Sequence, residues 1–446
     1  SQKGFCTIGI ISLIVKFSSP RYPIRIRKHA SNFVRHFCYS NDYTRKMFIA
    51  CGGLPVLIRF LYEDYNDERA RELILSSIDC IWNIFEIKSN PKNDFCRLFC
   101  KFGLLSRLAK VFYILKKHQG THDNQDYIDR VVKIFSLFSG GDILVRQKIA
   151  EVAVLKYLIL VLPELKFENL LTMMKAFHRV CGVKLDKPLK EMEDAGIIPV
   201  FVKLLDHDRR EIHSQVILCM EMLMVSDIAK RPTRKEKAIF AGIVPHLLKV
   251  VDERKLLKQV ALRILCDLPI QVPAVRTELW KHKMVNFYVK TLTDSCWRPD
   301  ALNALKIWMK MEPTRLGFQL AGSSSIPKLV AVCTSQKVFR QHLSLILPTM
   351  VAMCEMSRHL TQAVARSPKF VRSMLARLKE PIQGDPTNMA IHQASVEITH
   401  KMCIDHVNLS MFNKKYQIVE AMEVISSKAK AADKLRLWCL AETKER

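Results

Sequence analysis

The residues most able to do chemistry sit in the run Asn90-Pro91-Lys92-Asn93-Asp94-Phe95-Cys96-Arg97-Leu98-Phe99-Cys100-Lys101-Phe102-Gly103-Leu104-Leu105. Cys96 and Cys100 are four apart, so a helix would bring both thiols to one side. Two thiolates could begin a metal or redox site, yet zinc normally takes four ligands. His400, Cys403 and His406 stand at spacings of three, and again no fourth ligand follows. His118 and His122 lie in a polar stretch. Packing and surface positions therefore explain these groups better than metal binding, and no cofactor is expected. The phosphate loops Gly-x-Gly-x-x-Gly and Gly-x-x-x-x-Gly-Lys-Ser/Thr are absent. So are His-Arg-Asp, Asp-Phe-Gly and Ala-Pro-Glu; Asp94-Phe95 runs on into Cys96. Without His-Glu-x-x-His or Gly-x-Ser-x-Gly either, no residue is assigned a catalytic role.

The elements around the cysteines explain the run better. Asn93 or Asp94 is expected to cap a short helix, with Phe95, Leu98, Phe99 and Phe102 as its inward stripe. Gly103 ends it, because a left-handed terminal backbone is cheap only for glycine. The same ending recurs in Cys51-Gly52-Gly53-Leu54-Pro55, Ala195-Gly196-Ile197-Ile198-Pro199 and Ala241-Gly242-Ile243-Val244-Pro245. Proline suits the first turn of the next helix, where its missing N–H is not needed. Weaker copies place Ser12, Ser106, Lys156, Asn286, Pro327 and Arg372 in the proline column. The spacing is 41 to 51 residues, the period of armadillo and HEAT repeats.

The expectation is an all-α, armadillo-type right-handed superhelical solenoid of about nine to ten repeats. It forms a single domain over 1–446, with repeats starting near 5, 48, 95, 149, 190, 235, 280, 320 and 365. A C-terminal cap covers 410–446. The stretches 116–126 and 379–388 read as polar loops, and 63–68 as an acidic turn.

Lys plus Arg number 70 and Asp plus Glu 43, a net charge of +27. That suits an acidic protein, nucleic acid or a membrane surface. The densest basic runs, 21–28 and 230–237, read as solvated loops. None of the 14 cysteines forms Cys-x-x-Cys, and Cys38, Cys80, Cys219, Cys266 and Cys354 lie in apolar helical stretches, as small buried hydrophobes do. No apolar run is long enough for a transmembrane helix. The missing initiator Met suggests a piece of something longer.

Solenoids act through the surface lined by the last helix of each repeat. Position in the repeat selects Asn83, Lys133, Arg179, Asp267, Lys306 and Lys401 as partner-binding candidates. Trp82 stands beside Asn83 and Trp308 is present, but the regular Trp and Asn array of importin-type adaptors is missing.

From Lys46 to Leu115 the order of motifs is more specific. Met47 to Leu61, Asp64-Tyr65, Ile78-Asp79-Cys80-Ile81-Trp82, Pro91-Lys92-Asn93-Asp94-Phe95-Cys96-Arg97 and Gly103 to Leu108 follow in turn. This resembles the armadillo region of fungal septation-initiation kinases and of plant MAP kinase kinase kinases of the epsilon type. The resemblance implies a targeting region of a Ser/Thr kinase acting in cytokinesis, docking to a Ras-superfamily GTPase or a scaffold. It further implies a cytoplasmic protein placed at the spindle pole body, centrosome or division site. Two alternatives stay open: a free-standing armadillo scaffold, and a basic helical-repeat protein that binds nucleic acid.

Overall fold

The computed structural model describes residues 9–87, 92–120, 123–183, 185–225, 232–253, 257–269, 272–335, 339–380, 385–406 and 409–419. The expected repeat start near 5, His122 and most of the expected cap at 410–446 lie outside them. Every regular element among the described residues is a helix.

The repeat from Asp42 to Phe85 shows how the sequence sets the pattern. Asn41 accepts the Thr44 N–H at 3.0 Å and starts the short helix Asp42–Ala50. Gly52 then takes φ 85°, in the left-handed region. The second helix, Gly53–Phe60, follows, with Pro55 in its first turn. Asp67 accepts the Arg69 N–H at 2.9 Å and starts the third helix, Glu68–Phe85. Leu73, Ile74, Ile78, Ile81 and Phe85 make its buried stripe. Ser77, also buried, donates to the Leu57 carbonyl at 2.7 Å and ties the third helix to the second.

Two compact units carry this triplet, 1–243 and 244–446. In the first, the third helices Ile24–Tyr39, Glu68–Phe85, Gln125–Ser139, Phe167–Cys181 and Arg210–Met224 pack in series. In the second, Lys258–Asp267, Arg298–Met309, Arg340–Met356 and Pro386–Asp405 do the same. The fold is all-α and armadillo-type, three helices to the repeat.

The glycine column is borne out: Gly9, Gly52, Gly103, Gly196 and Gly242 all have positive φ, and Lys283 takes their place at φ 53°. Two column positions need correction. Lys156 and Arg372 are the fifth residues of Val152–Val161 and Pro368–Lys379, past the first turn where the column was expected. Their helices begin after Glu151 and Ser367, neither of them left-handed, so no glycine marked the start.

An arginine in the first helix fastens successive third helices. Arg45 Nε donates to the Ser40 carbonyl at 2.9 Å and its Nη1 to the Asn83 carbonyl at 2.8 Å. Arg146 holds the carbonyls of Gly141 and Arg179 in the same manner, at 3.0 and 3.3 Å. Carbonyls at helix C-termini have no intrahelical partner and carry negative dipole charge, so a guanidinium there satisfies both needs.

The inward stripe of Lys92–Lys101 is Phe95, Cys96 and Phe99; Leu98 and Phe102 are about two-fifths exposed instead. Asn93 and Asp94 lie within that helix and do not cap it from outside. The basic run 230–237 is not all solvated loop. Residues from Pro232 are helical, and Arg234 is 0% exposed. It reaches Glu193 at 3.0 Å and Asp186 at 3.5 Å, while Lys237 reaches Glu193 at 3.2 Å. Burial raises the Glu193 carboxyl, but hydrogen bonds from Thr233, Lys237 and Arg234 outweigh it and leave it below its usual range.

Candidate functional site

The third helices of the first unit form a ladder whose rungs are fixed by side chains. Lys28 pairs with Glu72 at 2.6 Å and Ser31 meets Ser76 at 3.5 Å. Arg130 pairs with the buried Asp79, and Lys133 Nζ lies 5.9 Å from the centre of the Trp82 ring. Asn169 donates to Asp129 at 2.7 Å, and Arg179 donates to Ser139 Oγ at 3.2 Å. Between those last two ties, Lys133 and Lys175 fall on neighbouring rungs.

The ladder changes character along its width. Toward the N-terminal ends of the third helices lie the exposed acids Glu72, Asp126 and Glu168. Toward the C-terminal ends lie the exposed cations Lys133, Lys175 and Arg179. Arg179, in the last turn of Phe167–Cys181, also complements the helix dipole. Trp82 is half-buried beneath Lys133 and offers an aromatic face beside the charges. His178, next to Arg179, is held below its ordinary pKa, first by burial and then by that guanidinium.

Of the six positions chosen from sequence, the structure brings Asn83, Lys133 and Arg179 onto this ladder. Asn83 is half-buried; its amide donates to the Asp79 carbonyl at 2.8 Å, and its own carbonyl holds Arg45. It is therefore a fastening residue as well as a surface one. Asp267, Lys306 and Lys401 lie in the second unit on three separate third helices. Lys401 is already paired with Asp405 at 3.3 Å. Lys175 was missed, although it lies four residues before Arg179 on the same helix face. Trp308 is no ladder residue: it is buried and gives its indole N–H to Glu312 at 3.1 Å.

Cys96, Cys100, His400 and His406 sit in structural surroundings. Burial, then the neighbouring Cys100 and Asp142, raises the Cys96 thiol to about 12. Burial lifts Cys100 to about 12 as well. Cys38, Cys80, Cys219, Cys266 and Cys354 are buried thiols. His406 stacks on Phe412 at 4.3 Å, and burial lowers the His400 pKa. Among the described residues no cluster of three His, Cys, Asp or Glu is placed to hold a metal.

Asn93 and Arg97 explain the specificity of their run. Asn93 Oδ1 accepts the Asp142 N–H at 2.9 Å, and its amide donates to Asp142 Oδ2 at 3.1 Å. Arg97 Nε binds the same oxygen. Asp142 Oδ1 accepts the Val145 N–H at 2.9 Å and caps the next first helix, Ile143–Ile149. The Val145 bond, with Asn93 and Arg97 behind it, lowers the Asp142 carboxyl to about 2. The motif staples two first helices together.

The chain is thus an armadillo-type helical-repeat protein with a basic, partly aromatic third-helix surface. Its relatives fit the resemblance carried by Asn93–Arg97. It is 31% identical over 318 residues to the cytokinesis protein sepH of Emericella nidulans, covering 71% of this chain and 23% of sepH. It is 23% identical over 407 residues to cell division control protein 7 of Schizosaccharomyces pombe, covering 89% of this chain and 36% of that protein. It is 40% identical over 119 residues to MAP3K epsilon protein kinase 1 of Arabidopsis thaliana, covering 26% of this chain and 9% of the kinase. The chain therefore spans about a quarter of the sepH length. No family model matches it. An engineered protein of known crystal structure shares the fold at TM-score 0.56 and 15% identity, covering 97% of this chain and 98% of that one. Among the described residues no helix is long and apolar enough to cross a membrane.

Proposed function

We propose that this chain is the protein-docking region of a cytokinesis-regulating Ser/Thr kinase of the septation-initiation type. Its third helices in the first unit hold an acidic partner, a small GTPase or a division scaffold, and so place the protein at the spindle pole or division site. The part played by this chain is docking, not phosphoryl transfer. The observation that carries the reading is the row Lys133, Lys175 and Arg179 on adjoining third helices, beside Trp82. The names of the relatives, a cytokinesis protein, a cell division control protein and a MAP3K epsilon kinase, supply the setting. Arg and aromatic residues are the side chains most often found at the energetic centres of interfaces.

Affinity capture from dividing cells tests this. The intact chain should retain acidic proteins of the division machinery, and retention should fall as salt is raised. Lys133→Glu combined with Arg179→Glu should abolish it. Equal capture by the double variant would overturn the assignment of the surface. A steep salt slope with generic DNA, and no protein captured, would favour the nucleic-acid alternative.

A further inference from the structure

The second unit contains a cavity of about 500 Å³ on its second-helix side. One wall is the helix Pro368–Lys379, a second helix of its repeat. Lys369, Arg372, Ser373, Ala376 and Arg377 line the cavity from it. Their steps of three and four put them on one helix face. Arg340, the first residue of the third helix Arg340–Met356, forms the facing wall. Leu343 and Ile391 give it an apolar floor.

Four permanent cations thus meet one carboxylate, that of Glu380. Two of the cations are held in place by the protein. Arg340 donates to Asn388 Oδ1 at 2.8 Å and lies 3.8 Å from Glu380. Arg377 donates to the Cys333 carbonyl and rests 3.9 Å from the Met374 sulfur. Burial opposes its charge and lowers its pKa. The other two cations, Lys369 and Arg372, are exposed and make no hydrogen bond or ion pair among the described residues. Like charges converging on one recess repel, and an anion inside would relieve that repulsion. Guanidinium forks match phosphate oxygens two at a time, and forks already positioned lose little freedom on binding. A recess of this size admits a single charged group on a side chain; a bilayer or a duplex presents a broad surface instead.

We propose that this cavity is a pocket for a phosphorylated serine or threonine of a protein partner. Arg340 and Arg377 orient the phosphate, Lys369 and Arg372 close over it from the rim, and the apolar floor takes the side-chain carbon next to the ester. The pocket is independent of the third-helix docking surface and stands if that reading fails.

The test is fluorescence polarisation of the full chain with a peptide library carrying one fixed phosphoserine or phosphothreonine. The same library without phosphate serves as the comparison. The phosphorylated library should bind and the unmodified one should bind at least about tenfold more weakly. Lys369→Gln with Arg372→Gln should cost about tenfold or more and leave the melting temperature unchanged, since neither side chain has a partner among the described residues. Lys110→Gln, an exposed second-helix cation of the first unit, should leave phosphopeptide binding untouched. Equal binding of the two libraries, or no effect of the double variant, overturns the proposal. So does binding to phosphoinositide vesicles that the same variant abolishes while the peptides show none, which would assign the pocket to a lipid headgroup.

Discussion

Asp142 concentrates more of this structure's logic than any other single residue. One carboxylate caps Ile143–Ile149 and receives both Asn93 and Arg97 from the first helix of the preceding repeat. Asp142→Ala should lower the stability of the first unit to chemical denaturation by about 1–2 kcal/mol, the range for a lost N-cap. The carboxyl is depressed from its ordinary value to about 2 in the folded chain. Its stabilising contribution is therefore complete above about pH 4 and is lost as pH falls through about 2. Asp142→Asn should remove that acid sensitivity in a urea titration repeated across this window. Arg234 makes the opposite kind of pair, fully enclosed against Glu193. Arg234→Ala leaves the buried Glu193 carboxylate with Lys237 as its remaining cation and should cost about 3 kcal/mol. Arg234→Met with Glu193→Leu should recover most of that loss, because it removes both charges together. Thermal melts of the two variants compare them directly. Neither residue announced itself. Asn93-Asp94-Phe95-Cys96-Arg97 was legible as a distinctive run, but its partner lies 45 residues beyond Arg97, and linear spacing does not say what Arg97 touches. Arg234, read by type alone, belongs on a surface, since arginine is buried only when paired.

At the scale of elements, the glycine column was the most legible feature. A positive φ is costly for every residue with a Cβ, so the chemistry of the turn writes itself into the sequence. Gly196 sits at φ 81° with no atom within 4 Å of where a Cβ would be. Gly196→Ala should therefore cost about 1–2 kcal/mol, all of it from the backbone. Lys283 occupies the same left-handed position at φ 53° without that freedom. Lys283→Gly should stabilise the second unit by about 0.5–1 kcal/mol, net of the looser unfolded chain. Calorimetry of both variants should show shifts of opposite sign. Where the column lacks glycine, at Glu151 and Ser367, apolar runs alone left the helix start two residues out, at Lys156 and Arg372. Periodicity likewise could not say which arc of Lys92–Lys101 faces inward. Leu98 and Phe102 are partly exposed because Cys96 takes the inner place between Phe95 and Phe99.

Across the whole chain, the charge of +27 favours an acidic partner without saying where it lands. Much of that charge is committed locally: Arg45 and Arg146 hold carbonyls, and Arg27 and Arg130 pair with Glu63 and Asp79. Further cations line the third-helix ladder of the first unit and the cavity of the second, and others stand exposed on second helices. Neither the ladder nor the cavity was fully readable beforehand. Lys133 and Arg179 were chosen by repeat position, but Lys175 joins them through a register set by Asn169 with Asp129 and Arg179 with Ser139. The cavity cations come from residues 340 to 377, brought together only by packing. The central claim is that the ladder of the first unit recruits the protein to the division site. The most direct measurement is the position of the fluorescently tagged chain in dividing cells. The account predicts that the natural chain concentrates there, as does Lys110→Glu/Lys156→Glu/Lys203→Glu, which changes the same charge on second helices. Lys133→Glu/Lys175→Glu/Arg179→Glu should stay diffuse while keeping the natural chain's helical circular dichroism. Concentration of that triple variant at the division site would contradict the account.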